Sequence, residues 1–179
     1  MYGMVHRAAR ELAILRHGES KWNAIAETAG VSEREFISAE VFTDAVTISI
    51  VSAVADADGS PIDRTLLELG RHWIDFAGRS AYSNVMSMAG DTLPDFCRNL
   101  DRMHTSIQAT MPDAIMPSFE VEAQDEAGLT LIYRSQRTGL ETFVQGLLEG
   151  LMERFKVEGT VARVDDSHPI RFRLTYKSA

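Results

Sequence analysis

Asp91–Met111, DTLPDFCRNLDRMHTSIQATM, has the spacing of a single amphipathic helix. Thr92 or Asp91 can cap its start by offering a side-chain oxygen to an unpaired backbone N–H. Pro94 suits a first turn, where its missing N–H would have had no partner. Phe96, Leu100, Met103, Ile107 and Met111 recur at helical spacing and form an apolar stripe. Arg98, Asn99, Asp101, Arg102, Thr105 and Gln108 occupy the other face. His104 falls inside the stripe, four residues after Leu100. A buried imidazole must satisfy at least one ring nitrogen, by a hydrogen bond or by a metal. Taken alone, the stretch leaves two readings open: a core histidine satisfied by its neighbours, or a ligand.

Upstream the chain reads as helices. Tyr2–His17 carries Val5, Ala8, Ala9, Leu12 and Leu15 on one face and stops at His17-Gly18. Glu19–Ala29, closed by Gly30, places Trp22, Ile25 and Ala26 together. Ser32 with Glu35 is a capping-box pattern. Residues 43–57 keep helical spacing despite Val46, Thr47, Ile48, Ile50 and Val51, whose β-branched side chains pull toward strand. Asp58-Gly59-Ser60-Pro61 is a break. Leu66, Leu69, Gly70, Trp73, Ile74 and Ala77 then follow in helical order.

Downstream the period changes. After Pro117, Phe119, Val121 and Ala123 alternate with polar residues. Asp125–Gly128 is a turn, and Leu129, Leu131 and Tyr133 alternate again, so the segment predicts a β-hairpin. Residues 140–156 return to helical spacing, and 157–164 and 170–176 read as two more strands. Helices first, then an antiparallel sheet with one helix packed on it, define an α+β fold. The 179 residues fit one domain, with a helical N-terminal lobe over 1–60 and a C-terminal lobe over 61–179.

Composition excludes several function classes. The net charge is −8 and no basic run occurs, which argues against nucleic acid as a partner because phosphates need a positive footprint. No stretch approaches the ~20 apolar residues of a membrane span, and no membrane partner is expected. The N-terminus lacks the apolar run of a signal peptide. The single cysteine, Cys97, rules out an internal disulfide framework and fits a reducing, cytoplasmic compartment. No nucleophile–base pair, Gly-rich phosphate loop or convincing carboxylate cluster points to an enzyme. Asp101 and Glu141 read as solvated helix charges, and His6, His17, His72 and His168 as surface or partly buried structural residues.

Tyr133, Ser135 and Arg137, in YRSQR, sit at i, i+2 and i+4. If the strand continues, all three project to one face and offer a phenol, a hydroxyl and a guanidinium fork. That set suits a carboxylate or phosphate, which Arg grips bidentately. The alternative is an ordinary polar strand face.

These pieces, in order, resemble the H-NOX family of haem nitric oxide/oxygen binding domains, related to the sensor domain of soluble guanylate cyclase. The resemblance rests on MYG at 1–3, on Gly90–Pro94 with Phe96, Asn99–Asp101 and His104, and on Pro117, YRSQR and GLLEG at 146–150. It covers essentially the whole chain and is closest to the stand-alone bacterial type.

The resemblance implies a haem b (Fe) between the two lobes. It makes His104 the proximal iron ligand and Tyr133, Ser135 and Arg137 the partners of the haem propionates. Pro117 would press on the haem, with Leu100 and Met1 close by. Val5, Trp73, Phe143 and Leu147 would form the distal pocket. Oxygen-binding relatives carry a Tyr where this chain has Phe143, which has no donor. A hydrogen bond to a polarised ligand contributes roughly 1.5–3 kcal/mol, so oxygen is expected to bind about ten- to a hundredfold more weakly. The Trp73 N–H is a donor whose direction the sequence leaves open. No zinc is expected, since the relatives' zinc sites need several cysteines.

The expectation is therefore a non-enzymatic sensor of nitric oxide, also binding CO, that excludes oxygen. It would signal through weakening of the Fe–His104 bond and lobe movement to a separate partner, a histidine kinase or a cyclic-di-GMP enzyme. Two alternatives stay open: a haem redox or oxygen sensor, and a haem-free protein-interaction module.

Overall fold

The computed structural model describes residues 1–177. Among them the chain forms α1 (Gly3–His17), α2 (Glu19–Ala29), a 3₁₀ turn (Glu33–Phe36), α3 (Asp44–Asp58), α4 (Ile62–Arg79), α5 (Ser83–Met88) and α6 (Leu93–Thr110). Then follow β1 (Ser118–Asp125), β2 (Gly128–Arg134), α7 (Glu141–Arg154), β3 (Gly159–Arg163) and β4 (Ile170–Tyr176). The strands make one antiparallel sheet in the order β1-β2-β4-β3. The expected α+β class is the observed one.

Local rules account for the element ends. Thr92 caps α6, its hydroxyl accepting from the Asp95 N–H at 3.3 Å, and Pro94 sits in the first turn. Gly30 and Gly59 close α2 and α3 at φ 68° and 62°, a left-handed conformation costly for residues with a Cβ. The Ser32–Glu35 capping box is present but opens a 3₁₀ turn. The β-branched run of α3 stays helical because Thr47, Ile50, Val51 and Val54 are buried there, so packing outweighs propensity.

Two hydrophobic clusters organise the interior. One is built on α1, α2 and α3, with Trp22, Ile25, Phe36, Ile50 and Val54. The other lies under the sheet, where Leu129, Leu131, Phe172 and Leu174 meet Phe96, Leu100, Leu148 and Leu151. Two helices serve both. α4 sends Leu66 and Leu69 to the first and Ile74 and Ala77 to the second. α7 divides in the same way, with Phe143 in the first and Leu148 in the second. α4 and α7 cross closely through Gly70 and Gly146, where a Cβ on Gly70 would collide with the Phe143 carbonyl and one on Gly146 with the Leu67 carbonyl.

One expected pattern breaks. The alternation of β1 holds at Phe119, which is buried, but the register with β2 shifts between Val121 and Ala123. A bulge turns the following side chains, and Ala123 is exposed. No helix among the described residues is long and apolar enough to cross a membrane.

Candidate functional site

Between the two clusters lies a cavity of about 1310 Å³, counting the part open to solvent. Residues from both clusters line it, from Met1 and Val5 on one side to Leu100 and Phe119 on the other. Its walls are mostly apolar, and two features interrupt them: an imidazole and a guanidinium.

The imidazole is His104. Placed by the α6 stripe, it borders the cavity. Its Nδ1 lies 3.1 Å from the Pro117 carbonyl oxygen. A carbonyl only accepts, so Nδ1 carries the hydrogen and Nε2 keeps a lone pair. Among the described residues Nε2 has no hydrogen-bond partner. Burial lowers the His104 pKa, opposed by the Pro117 carbonyl and by Asp101, so the ring is neutral near pH 7. A neutral, oriented imidazole with a free lone pair is chemically able to ligate a metal.

Asp101 is more than a solvated helix charge. One turn before His104, its Oδ1 accepts from the Phe119 N–H at 2.6 Å and its Oδ2 from the Ser118 hydroxyl at 2.9 Å. α6 is thus fastened to the start of β1 at the two residues that follow Pro117. Glu141 accepts from the Gly139 N–H at 3.3 Å.

The guanidinium is Arg137. Tyr133 and Arg137 both border the cavity, whereas Ser135 is exposed and does not. β2 ends at Arg134, so the strand does not continue through the motif. Instead the Ser135 hydroxyl accepts from the Arg137 N–H at 3.0 Å and shapes a turn that returns Arg137 to the rim. Arg137 Nε donates to Asp44 at 3.1 Å and one terminal nitrogen to the Ile115 carbonyl at 2.9 Å. The other terminal nitrogen has no partner among the described residues, so a guanidinium already paired with Asp44 keeps one donor nitrogen for a further anionic group. Burial raises the Tyr133 pKa, against the pull of Ser135 and Arg137, so the phenol keeps its proton and can donate.

The remaining predicted residues, Met1, Val5, Trp73, Leu100, Pro117, Phe143 and Leu147, all line the cavity. Val5 and Phe143 are buried, and Trp73 stacks on Phe76 at 5.8 Å. The sequence reading missed Tyr2, Tyr82, Met86, Ile115, Met116 and Phe119 as lining residues. Ile115 and Met116 lie in a segment without a helical or strand period, where no spacing signal exists. Phe119 was legible as a strand residue, but its position beside His104, 5.8 Å between ring centres, is a tertiary fact.

His6 is also placed differently from the expectation. It is fully buried in the N-terminal core, its Nδ1 donating to the Glu35 carbonyl and its Nε2 accepting from the Thr47 hydroxyl, both at 2.8 Å.

The whole architecture has solved counterparts. An H-NOX protein from S. oneidensis in the Fe(II)NO ligation state superposes with a TM-score of 0.87 over 99% of this chain and 100% of that one, at 18% identity. An Fe(II) form of the S. oneidensis protein carrying three substitutions gives 0.90, over 99% and 97%, also at 18% identity. At that identity the likeness establishes the fold. In sequence, soluble guanylate cyclase gcy-31 of Caenorhabditis elegans is 29% identical over 171 residues, covering 95% of this chain. Rat guanylate cyclase soluble subunit beta-2 is 30% identical over 86 residues, covering 48% of this chain and 13% of its own length. The chain spans about a quarter, 24%, of the gcy-31 sequence, so the cyclase activity in that name is not carried over. A family model described as Haem-NO-binding matches residues 2–163. The chain belongs to the Haem-NO-binding, or H-NOX, family, and is a haem-binding gas-sensor domain.

The residues present fit such a group. The cavity is mostly apolar and is lined by both clusters, His104 Nε2 has no hydrogen-bond partner on its wall, and Arg137, paired with Asp44 through Nε, keeps a terminal nitrogen at the rim for a carboxylate.

Proposed function

We propose that this domain is a nitric oxide sensor whose haem, of the b type, is held by His104 through Nε2. The observation that carries the reading is the divided use of the His104 ring: Nδ1 is bound to Pro117, and Nε2 is left free on an apolar wall. Tyr133 and Arg137 would hold the propionates, with Ser135 fixing the turn that presents Arg137. Leu100 and Pro117 would pack on the macrocycle. A b-type haem is supported by the burial of the one cysteine, Cys97, which is 0% exposed and offers no covalent attachment.

Ferrous haem supplies an iron centre that binds nitric oxide and carbon monoxide; the chain decides which gases stay. Val5, Phe143 and Leu147 give bound oxygen no hydrogen-bond donor, and with the Trp73 indole stacked on Phe76 rather than turned to the gas, oxygen would be disfavoured. When the hold on His104 weakens, α6 is free to move relative to the N-terminal wall formed by Met1 and Val5. A partner that prefers one arrangement reads the shift, since a signal requires unequal affinity for the two states. On the family resemblance, that partner is a histidine kinase or a cyclic-di-GMP enzyme, in the cytoplasm.

The test is an absorption spectrum of the reduced protein with nitric oxide, carbon monoxide and air, repeated on His104→Gly. The expected wild type is five-coordinate, takes both gases and forms no oxygen complex. The variant should lose its protein ligand and regain the wild-type spectrum with added imidazole. Unchanged axial ligation in the variant would refute the role of His104, and a stable oxygen complex in air would refute the selectivity.

A further inference from the structure

α6 ends at Thr110, and its cap residue Met111 lies about two turns beyond His104. Two tyrosines from distant parts of the chain meet there. The Tyr2 hydroxyl donates to the Met111 carbonyl at 3.4 Å, and the Tyr82 hydroxyl to its Sδ at 3.5 Å. Tyr2 immediately precedes α1 and is bridged to Val41, while Tyr82 immediately precedes α5. All three side chains border the cavity. The Met111 carbonyl is held in place independently, since it also accepts from the Ala114 N–H at 2.9 Å. Tyr2 is thus its second donor, on its second lone pair.

The packing makes this junction matter. α1 packs on α2, α3, α4 and the 3₁₀ turn, and α6 on α5 and β1. Among the described residues the two helices share no extensive face. The Tyr2 hydroxyl is therefore a direct polar link from the end of α6 to the segment that leads into α1.

We propose that Tyr2 and Tyr82 are positioning residues that couple the end of α6 to the N-terminal helix: displacement of His104 reaches α1 through the Tyr2 hydroxyl on the Met111 carbonyl, while Tyr82, packed against the N-terminal cluster, ties the Met111 side chain to that cluster. The proposal rests on the reading of His104 as the iron ligand and names how that site is read out. The distances favour a switchable contact over a rigid one. At 3.4 Å the Tyr2 bond is well beyond the usual O–H···O distance of about 2.7–2.8 Å, so a small movement of α6 completes it or breaks it. The thioether is a weak acceptor on an adaptable side chain and can follow such a movement.

Tyr2→Phe and Tyr82→Phe remove only the hydroxyls. Hydrogen–deuterium exchange is measured on the haem-loaded wild type and on each variant, reduced, with and without nitric oxide. Haem content and absorption spectra are recorded on the same samples. In the wild type, nitric oxide should change exchange both in residues 104–111 and in α1. In the variants the change at 104–111 should persist, while the change in α1 falls to half or less. An α1 response of wild-type size in both variants, or no α1 response in the wild type, overturns the proposal. If Tyr2→Phe loses haem, Tyr82→Phe decides by the same comparison. Failure of the underlying reading shows separately: a wild type that takes up no haem, or unchanged ligation in His104→Gly, removes both.

Discussion

The Nδ1 of His104 donates to the carbonyl oxygen of Pro117 across 3.1 Å, and this one bond sets both the ring's orientation and its tautomer. A proton added to the ring must go to Nε2, against an apolar wall. Burial lowers the pKa of His104, and equally those of His6 and His72, where nearby Glu35 and Glu11 only partly oppose it.

These shifts fix the sign of a pH dependence. Each histidine has a folded pKa below its unfolded value of about 6.5. Between the two values the unfolded chain binds more protons, so stability rises with pH across that window. It is complete above about pH 6.5 and is lost as pH falls through the window, with a slope of up to about 1.4 kcal/mol per pH unit for each histidine. Denaturant unfolding at several pH values between about 5 and 8 should show a midpoint that is level above 6.5 and declines below it. A midpoint level down to about pH 5 would contradict the neutral rings of buried His6 and half-buried His72.

His6 carries a structural prediction of its own. It joins α1 to the 3₁₀ turn and to α3, with both nitrogens used at 2.8 Å and no exposure. His6→Ala would leave the Glu35 carbonyl and the Thr47 hydroxyl unpaired and open a cavity beside Phe36 and Phe42, at a cost of about 3–5 kcal/mol. Thr47→Val removes a single partner and should cost about 1–3 kcal/mol. Urea unfolding measures both, and the order of the two losses checks the argument.

That histidine also marks where sequence reasoning stops. The α6 stripe, its Thr92 cap and the tight turns at Gly30 and Gly59 follow from rules that act within a few residues, and all were readable. His104 was readable because it interrupts an apolar stripe. His6 has no such signal: Val5 and Ala8 announce a buried face, but the acceptor and donor that make a buried imidazole tolerable come from Glu35 and Thr47, some 29 and 41 positions away. The YRSQR motif was read as a continued strand, and the backbone departs from that reading. Tyr133 and Arg137 reach the cavity, but through a turn built by Ser135 rather than a continued strand. Where β2 ends depends on its pairing with β1 and β4, which no local pattern reports.

The α4–α7 crossing gives a third prediction. Gly70 and Gly146 allow the two backbones to touch, and both helices continue from one hydrophobic cluster into the other. Gly146→Ala would drive a methyl into the Leu67 carbonyl, a backbone atom that cannot rotate away. The helices must separate, costing about 1–3 kcal/mol and carrying Phe143 and Leu147 away from Trp73. Thermal unfolding should register the loss, and carbon monoxide rebinding to the haem-loaded protein should change with the pocket. Wild-type values in both would show that the crossing yields more easily than its contacts imply.

Phe143 supplies the fourth. It is buried at 8% exposure, lines the cavity and belongs to the N-terminal cluster with Val5. If this ring faces the gas, adding one oxygen atom to it changes which gases stay bound. Phe143→Tyr brings a phenol donor into an apolar pocket, where a hydrogen bond to a polarised ligand contributes roughly 1.5–3 kcal/mol. Oxygen affinity should rise about ten- to a hundredfold, while nitric oxide affinity changes far less because that ligand depends less on the bond. The measurement is the spectrum of the reduced variant in air, followed by the oxygen dissociation rate. A variant that still forms no oxygen complex would mean that the Phe143 ring edge does not point at the gas. Trp73→Phe would then be the informative comparison, because the indole N–H is the other donor on that wall. A carbon monoxide affinity that changes on removing that N–H, but not in Phe143→Tyr, would place the gas-facing wall on α4 rather than α7.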